Sequence, residues 1–385
     1  LNLQKNNKME ENELPQIDLF GNPIINTDDL VEKEDLGNRM KKPFNPNNIK
    51  IRLQPITVYS MVERIKHNEI KLNTEFQRKE GLWKNDQQSK LIESILIRFP
   101  LPVFYFDGSD NSEWLVIDGL QRLTSLKRFM VTKELKLSGL EFLKDFEGKG
   151  WDDLDRPLQR QINETSLQCY VVEEGEDDVK YNIFKRINTG GLNLSDQEIR
   201  HAMHQDVAAF LKKLAESKEF IDATRGKVSA ERMLDRDFVN RFLAFYLFSY
   251  DVDYTYDEDL DSFMNRTLNK LSELSPAELS EIETRFKEAM KLAKNIFEET
   301  AFAKTKEYKR INKALFEVLS VSFAKLSDSQ RVTLLSKKKK FKSLFYDAIK
   351  NSFADSLSSN TGGKSNVSLR HRETNKVINE VLNQE

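Results

Sequence analysis

Three short segments of this chain combine residue types that can hold a phosphate group. The most informative is Trp114-Leu115-Val116-Ile117-Asp118-Gly119-Leu120-Gln121-Arg122-Leu123-Thr124. It reads as a short buried strand, a tight Asp-Gly turn and the start of a helix. That order sets a carboxylate, an amide and a guanidinium at a helix N-terminus, where unpaired backbone N–H groups favour phosphate. Taken alone, a capped turn with a solvated Arg122 is the simpler reading. A second segment, Phe76-Gln77-Arg78-Lys79-Glu80-Gly81-Leu82-Trp83, places a polar pair between large aromatics just before a helix. Arg78 there either pairs with an acidic neighbour or offers planar, bidentate donors to the same phosphate. The third, Phe184-Lys185-Arg186-Ile187-Asn188-Thr189-Gly190-Gly191-Leu192-Asn193-Leu194, has a Gly pair that can form an N–H-rich nest. By itself it is a connecting loop.

The elements that must position these segments alternate between strand and helix from residue 50 to about residue 172. Val58, Met61, Val62 and Ile65 have helical spacing, as do Leu91, Ile92, Ile95, Leu96 and Phe99 after a capping Asp86. The second of these helices should end at Phe99-Pro100. Residues 103–106 and 114–117 predict neighbouring strands, 121–130 a helix and 167–172 a further strand. Beyond Val179 helices take over. Capping boxes open at Ser195, Ser275 and Ser327, the second with Pro276 at the first helical position. The first should open a helix to about Ser217, and residues 237–250 predict a helix buried all round. A short amphipathic helix is expected near Val377, Ile378 and Val381.

With 385 residues the chain can bury two or more cores. Charged residues make up 32% yet nearly cancel, for a formal charge of -2, so DNA contact would require a local basic patch. Lys304–Lys313 and Lys337–Lys340 with Lys342 are such clusters, or solvated helix ends. A single cysteine, Cys169, excludes a disulfide framework and fits a reducing compartment. No apolar run reaches the ~18 residues a membrane span requires, and the polar N-terminus lacks a signal-peptide core. The expected location is the cytoplasm.

Set together, the three segments resemble the N-terminal domain family of GmrSD-type restriction systems, which has a ParB/sulfiredoxin-like fold and a DGQQR signature. The resemblance rests on Phe76-Gln77-Arg78 with Trp83, and on Leu91-Ile92-Glu93-Ser94-Ile95-Leu96 followed by Pro100 and Pro102. It continues through Ile117-Asp118-Gly119-Leu120-Gln121-Arg122-Leu123-Thr124-Ser125 and Arg186-Ile187-Asn188-Thr189-Gly190-Gly191 to Leu194. Glu198-Ile199-Arg200 and Arg241-Phe242-Leu243-Ala244-Phe245 are similar to the family's helical half.

The resemblance implies an α+β fold, with a ParB-like N-terminal α/β domain followed by a mainly α-helical domain. The expected divisions are a flexible segment 1–48, a nucleotide-binding domain 49–178, a helical domain 179–354, and a flexible linker with a C-terminal helix over 355–385. It further implies binding, and hydrolysis, of a nucleoside triphosphate (NTP) with Mg2+ in a prokaryotic anti-phage defence system. Carried onto this chain, Asp118 would hold a metal-bound water or orient Arg122. Gln121 and Arg122 would act in catalysis on the phosphates. Gln77, Arg78, Gly119, Thr124, Arg186, Asn188, Thr189, Gly190 and Gly191 would line the nucleotide pocket.

Two departures bear on that expectation. Leu120 stands where the signature has its first Gln, which weakens the case for hydrolysis more than for binding. The His-containing nuclease motif that follows this domain in many relatives is not evident among His67, His201, His204 and His371. His201 and His204 stand three residues apart on an expected helix, a spacing that suits either a metal or a solvated pair. The expected partners are therefore a nucleotide, DNA, and a separate nuclease or defence subunit, with a second copy of the chain also admissible. Two rival readings stay open: a metal-dependent nuclease working through Asp118, and a non-catalytic DNA-binding or scaffold subunit.

Overall fold

The structure, a computed structural model, describes residues 30–36, 49–72, 83–110, 112–187, 194–305 and 310–383. Its first half is a mixed sheet. In chain order come β1 (Lys50–Thr57), α1 (Val58–Lys66), β2 (Ile70–Lys71), α2 (Asn85–Leu96), β3 (Phe104–Asp107), β4 (Trp114–Asp118), α3 (Leu120–Leu126), α4 (Arg156–Glu164) and β5 (Ser166–Glu174). The strand order is β1-β5-β3-β4-β2. β1 and β3 flank β5 antiparallel and parallel respectively, while β4 runs antiparallel to β3 and parallel to β2.

Side-chain alternation along β5 sorts the two faces. Leu167, Cys169 and Val171 join Ile56, Phe104 and Phe106 against α1, α2 and α3. On the other face, Val172 and Ile117 meet Tyr181 and Phe184 of α5 (Asp177–Ile187) and Ile199 of α6 (Asp196–Met203). Lys180 of α5 also pairs with Asp107 at the end of β3, 3.4 Å apart, both nearly buried. The boundary expected at 178/179 thus falls inside α5, which packs on the sheet.

The second half contains α7 (Gln205–Ala215), α8 (Lys218–Thr224), α9 (Leu234–Leu247), α10 (Leu260–Ser272), α11 (Pro276–Phe297), α12 (Lys313–Ala324), α13 (Asp328–Ser336), α14 (Lys338–Ala348) and α15 (Lys364–Asn383). The chain is therefore α+β, an N-terminal α/β unit with a helical remainder. All three capping boxes form: Ser195 accepts from Glu198, Ser275 from Glu278 and Ser327 from Gln330. The helix expected through Ser217 instead breaks at His204. Every residue of α12 after Lys313 is buried, so this helix, rather than residues 237–250, is the one enclosed all round.

Glu317 is the acid inside α12. It accepts from Arg241 Nε at 2.7 Å, from Arg370 Nε and Nη2 at 2.8 Å each, and from His371 Nε2 at 3.1 Å. Burial alone would raise its pKa, but Arg370 and Arg241 hold the carboxyl well below the usual carboxylate range. Parts of the two stretches expected to be flexible pack on this core. Residues 30–36 lie across the helical half, with Val31 in its core. Residues 355–363 carry the buried Ser356, Leu357 and Thr361, and α15 spans 20 residues with Arg370 and His371 in the interior.

Candidate functional site

Gly119 makes the turn after β4 possible. Its φ of 104° lies in the region that disfavours any side chain, and an added Cβ would strike the ring of Phe104. The chain therefore passes directly from the end of β4 into α3 over that ring. No side chain caps the start of α3. Asp118 instead turns one oxygen, Oδ1, to the N–H of Gly119 at 2.7 Å. Its other oxygen, Oδ2, accepts from Arg122 Nη2 at 2.9 Å, and the side chain stays 42% exposed.

Arg122 faces the other way. Its side chain is only 8% exposed, with Nη1 donating to the carbonyl of Pro102 and Nη2 to that of Val103 at 3.2 Å. The guanidinium stacks on Phe104, 4.2 Å from the ring centroid. Burial pulls its pKa below the usual arginine value, with Asp118 opposing the shift. Arg122 gives these donors to the 102–103 backbone and to Asp118. It braces the turn.

Gln121 reaches a different neighbour. Its Oε1 accepts from the N–H of Trp83 at 3.2 Å, while Gln88 Nε2 donates to the carbonyl of Trp83 at 2.7 Å. The residue that ends the second motif segment is thus clamped to the start of α3. The segment's own Gln77 and Arg78 lie outside the described residues, as do Asn188, Thr189, Gly190 and Gly191 of the third. Of that third segment, Phe184 and Ile187 at the end of α5 pack in the same cluster as Ile117. Arg186 is exposed in its last turn, and Thr124 is half-buried on α3. Leu120 is half-buried too. Among the described residues, hydrogen bonds join the expected site residues Asp118, Gly119 and Arg122, and join Gln121 to Trp83.

Sequence reasoning missed two supports beneath this site. Lys180–Asp107 ties α5 to the sheet from a pair of ordinary-looking surface charges. Glu93 lies within a motif, accepting N–H groups of Glu141, Phe142 and Leu143 at 2.7–3.1 Å. Desolvation works against its charge, but those bonds win and its pKa is lowered. His201 and His204 are both buried, and His201 Nδ1 lies 3.3 Å from Arg236 Nη1. Among the described residues, no group of three His, Cys, Asp or Glu is placed to hold a metal ion. A cation bound through one carboxylate, water and phosphate oxygens would still fit Asp118, whose side chain is 42% exposed.

Residues 58–205 match the family GmrSD restriction endonuclease, N-terminal domain. That stretch, less than half of the chain, is similar to this domain. The matched stretch runs from the first residue of α1 through α6, so it includes the sheet except β1. It also includes all three motif segments. Neither a curated protein nor a solved structure matches the chain. No helix among the described residues is long and apolar enough to cross a membrane.

Proposed function

We propose that the turn joining β4 to α3 binds a nucleoside triphosphate, and that the chain serves as a sensor or regulatory subunit of a restriction-type defence system acting on DNA. The observation that carries this reading is the division of labour at the turn. Arg122 is sunk into the scaffold, leaving the Asp118 carboxylate exposed beside a helix start with no side-chain cap. Backbone N–H groups there suit phosphate, and Asp118 suits the cation that accompanies it. When bound, Mg2+ would neutralise phosphate charge at this point.

Gln121 would orient the phosphates while holding Trp83, and Gln77, Arg78, Arg186, Asn188, Thr189, Gly190 and Gly191 would close the pocket around them. Hydrolysis is the secondary claim, since Leu120 brings no polar group to the turn. DNA and a separate nuclease or defence subunit are the proposed partners, with the chain working in the cytoplasm.

The test is NTP binding and phosphate release by the purified chain, with and without DNA, beside Asp118→Ala and Arg122→Ala. The expected result is NTP binding lost in Asp118→Ala with the fold retained, and weakened in Arg122→Ala together with thermal stability. Binding untouched by both substitutions would sink the site. Metal-dependent DNA cleavage abolished by Asp118→Ala would replace this reading with a nuclease.

A further inference from the structure

Residues 30–36 precede the sheet in sequence yet belong to the helical half in space. Val31 forms an isolated parallel bridge with Ile311. It is closed by Glu32 N–H to the Ile311 carbonyl at 2.9 Å and Ile311 N–H to the Leu30 carbonyl at 3.0 Å. Further along, the N–H of Thr361 donates to the Asp35 carbonyl at 2.8 Å. Main-chain pairing of this kind is how grooves hold extended peptides.

The side chains add three seats, and every one takes a carboxylate. Glu32 meets Lys304 Nζ at 2.7 Å and Asn312 Nδ2 at 2.9 Å. Glu34 receives Arg241 Nη1 on both oxygens, at 2.6 and 2.7 Å, and Thr361 Oγ1 at 2.6 Å. Asp35 accepts from the N–H of Asn360 and from Ser359 Oγ, each at 3.2 Å. Apolar anchoring comes from Val31 in the core and from Leu36 packed against it. Arg241 is 2% exposed, and its Nη2 has no hydrogen-bond partner among the described residues.

A segment that served as core alone would bury apolar groups. A buried carboxylate against a guanidinium adds little net stability over an apolar pair. What it does supply is selection for charge and register. We propose that the groove lined by Ile311, Asn312 and the 359–361 loop is a binding site for an acidic extended peptide, occupied in the resting chain by residues 30–36. The partner it fits is a protein segment with an apolar residue followed by acids spaced as Glu32, Glu34 and Asp35 follow Val31. Residues 37–48 connect the strap to β1, so a competing partner would release the segment that feeds the sheet's edge strand.

The experiment places a site-specific protease sequence within residues 37–48 of the full chain, cuts it, and follows the freed N-terminal fragment by gel filtration. The fragment should stay with the body and leave when excess synthetic peptide of residues 28–38 is added. The same peptide carrying E34Q and D35N should compete at least ~10-fold less well, the scale of losing charged hydrogen bonds. Loss of the fragment on cutting, with circular dichroism unchanged, would overturn the proposal. So would equal competition by the substituted peptide. A fragment that no excess of peptide displaces, or a body that unfolds on cutting, would make the strap an integral staple and overturn it as well.

Discussion

The Asp118 turn and the Glu317 cluster both join a carboxylate to arginine, and they leave their charges in opposite places. At the turn the arginine is buried on backbone carbonyls while the acid stays 42% exposed. Around Glu317 the acid and both arginines are 2% exposed or less. An exposed acid beside a bare helix start can take on a ligand. An acid enclosed by two guanidiniums and an imidazole is already satisfied, so its work is to fix the relation of α9, α12 and α15.

The largest effect should therefore come from Glu317→Gln. Breaking a buried ion pair by removing one partner costs about 3–5 kcal/mol, because the other charge remains buried. Here Arg370 would be left, while Arg241 keeps Glu34. Calorimetric unfolding of the substituted chain should show a fall on that scale, and near-wild-type stability would dissolve the comparison. The pH dependence sharpens it. The folded carboxyl lies well below its unfolded value, so its contribution is present above the ordinary Glu range and is lost as pH falls through that range and below. His371, whose pKa burial lowers, adds a loss in the same direction beginning near the ordinary His value. Wild type should thus lose stability on acidification more steeply than Glu317→Gln.

Gly119→Ala comes next. A Cβ at a φ of 104° is strained and would press on Phe104, at about 1–3 kcal/mol. Because Phe104 also carries the Arg122 stack, the substitution should shift the turn as well as weaken the fold. Thermal unfolding and NTP affinity should both fall. A loss of stability with affinity unchanged would show that the turn is scaffold alone.

The same contrast explains what could be read from the amino-acid sequence. The turn was legible because its signal is local: a strand pattern, Asp118-Gly119 and a helix within eleven residues. The capping boxes were legible for the same reason. What failed was anything set by distant packing. Arg122 looks solvated in sequence, and its burial depends on carbonyls 19 and 20 residues away. Glu317 and Arg370 look like ordinary surface charges, and they meet Arg241 only when three helices close. Strand β1 was missed because most of its residues are exposed, which erases the buried alternation that marks a strand. Residues 30–36 look polar enough to be flexible, and it is their carboxylates that fasten them down.

The smallest effect on stability, and the most diagnostic for function, belongs to Asp118→Asn. The side chain is 42% exposed, and asparagine can keep the bond from Gly119 N–H. Losing its charge pairing with the buried Arg122 should cost less than the Glu317 substitution, about 1–2 kcal/mol, because the carboxylate itself is 42% exposed. Arg122 retains both carbonyl partners and the Phe104 ring, so its placement should hold. What the substitution removes is the negative charge that a phosphate-bound cation would need. Titration of the NTP with and without Mg2+ should show wild type gaining affinity from the metal and Asp118→Asn gaining almost none. Equal gains in both chains would move the metal away from Asp118, and a large drop in melting temperature would put Asp118 in the scaffold beside Arg122.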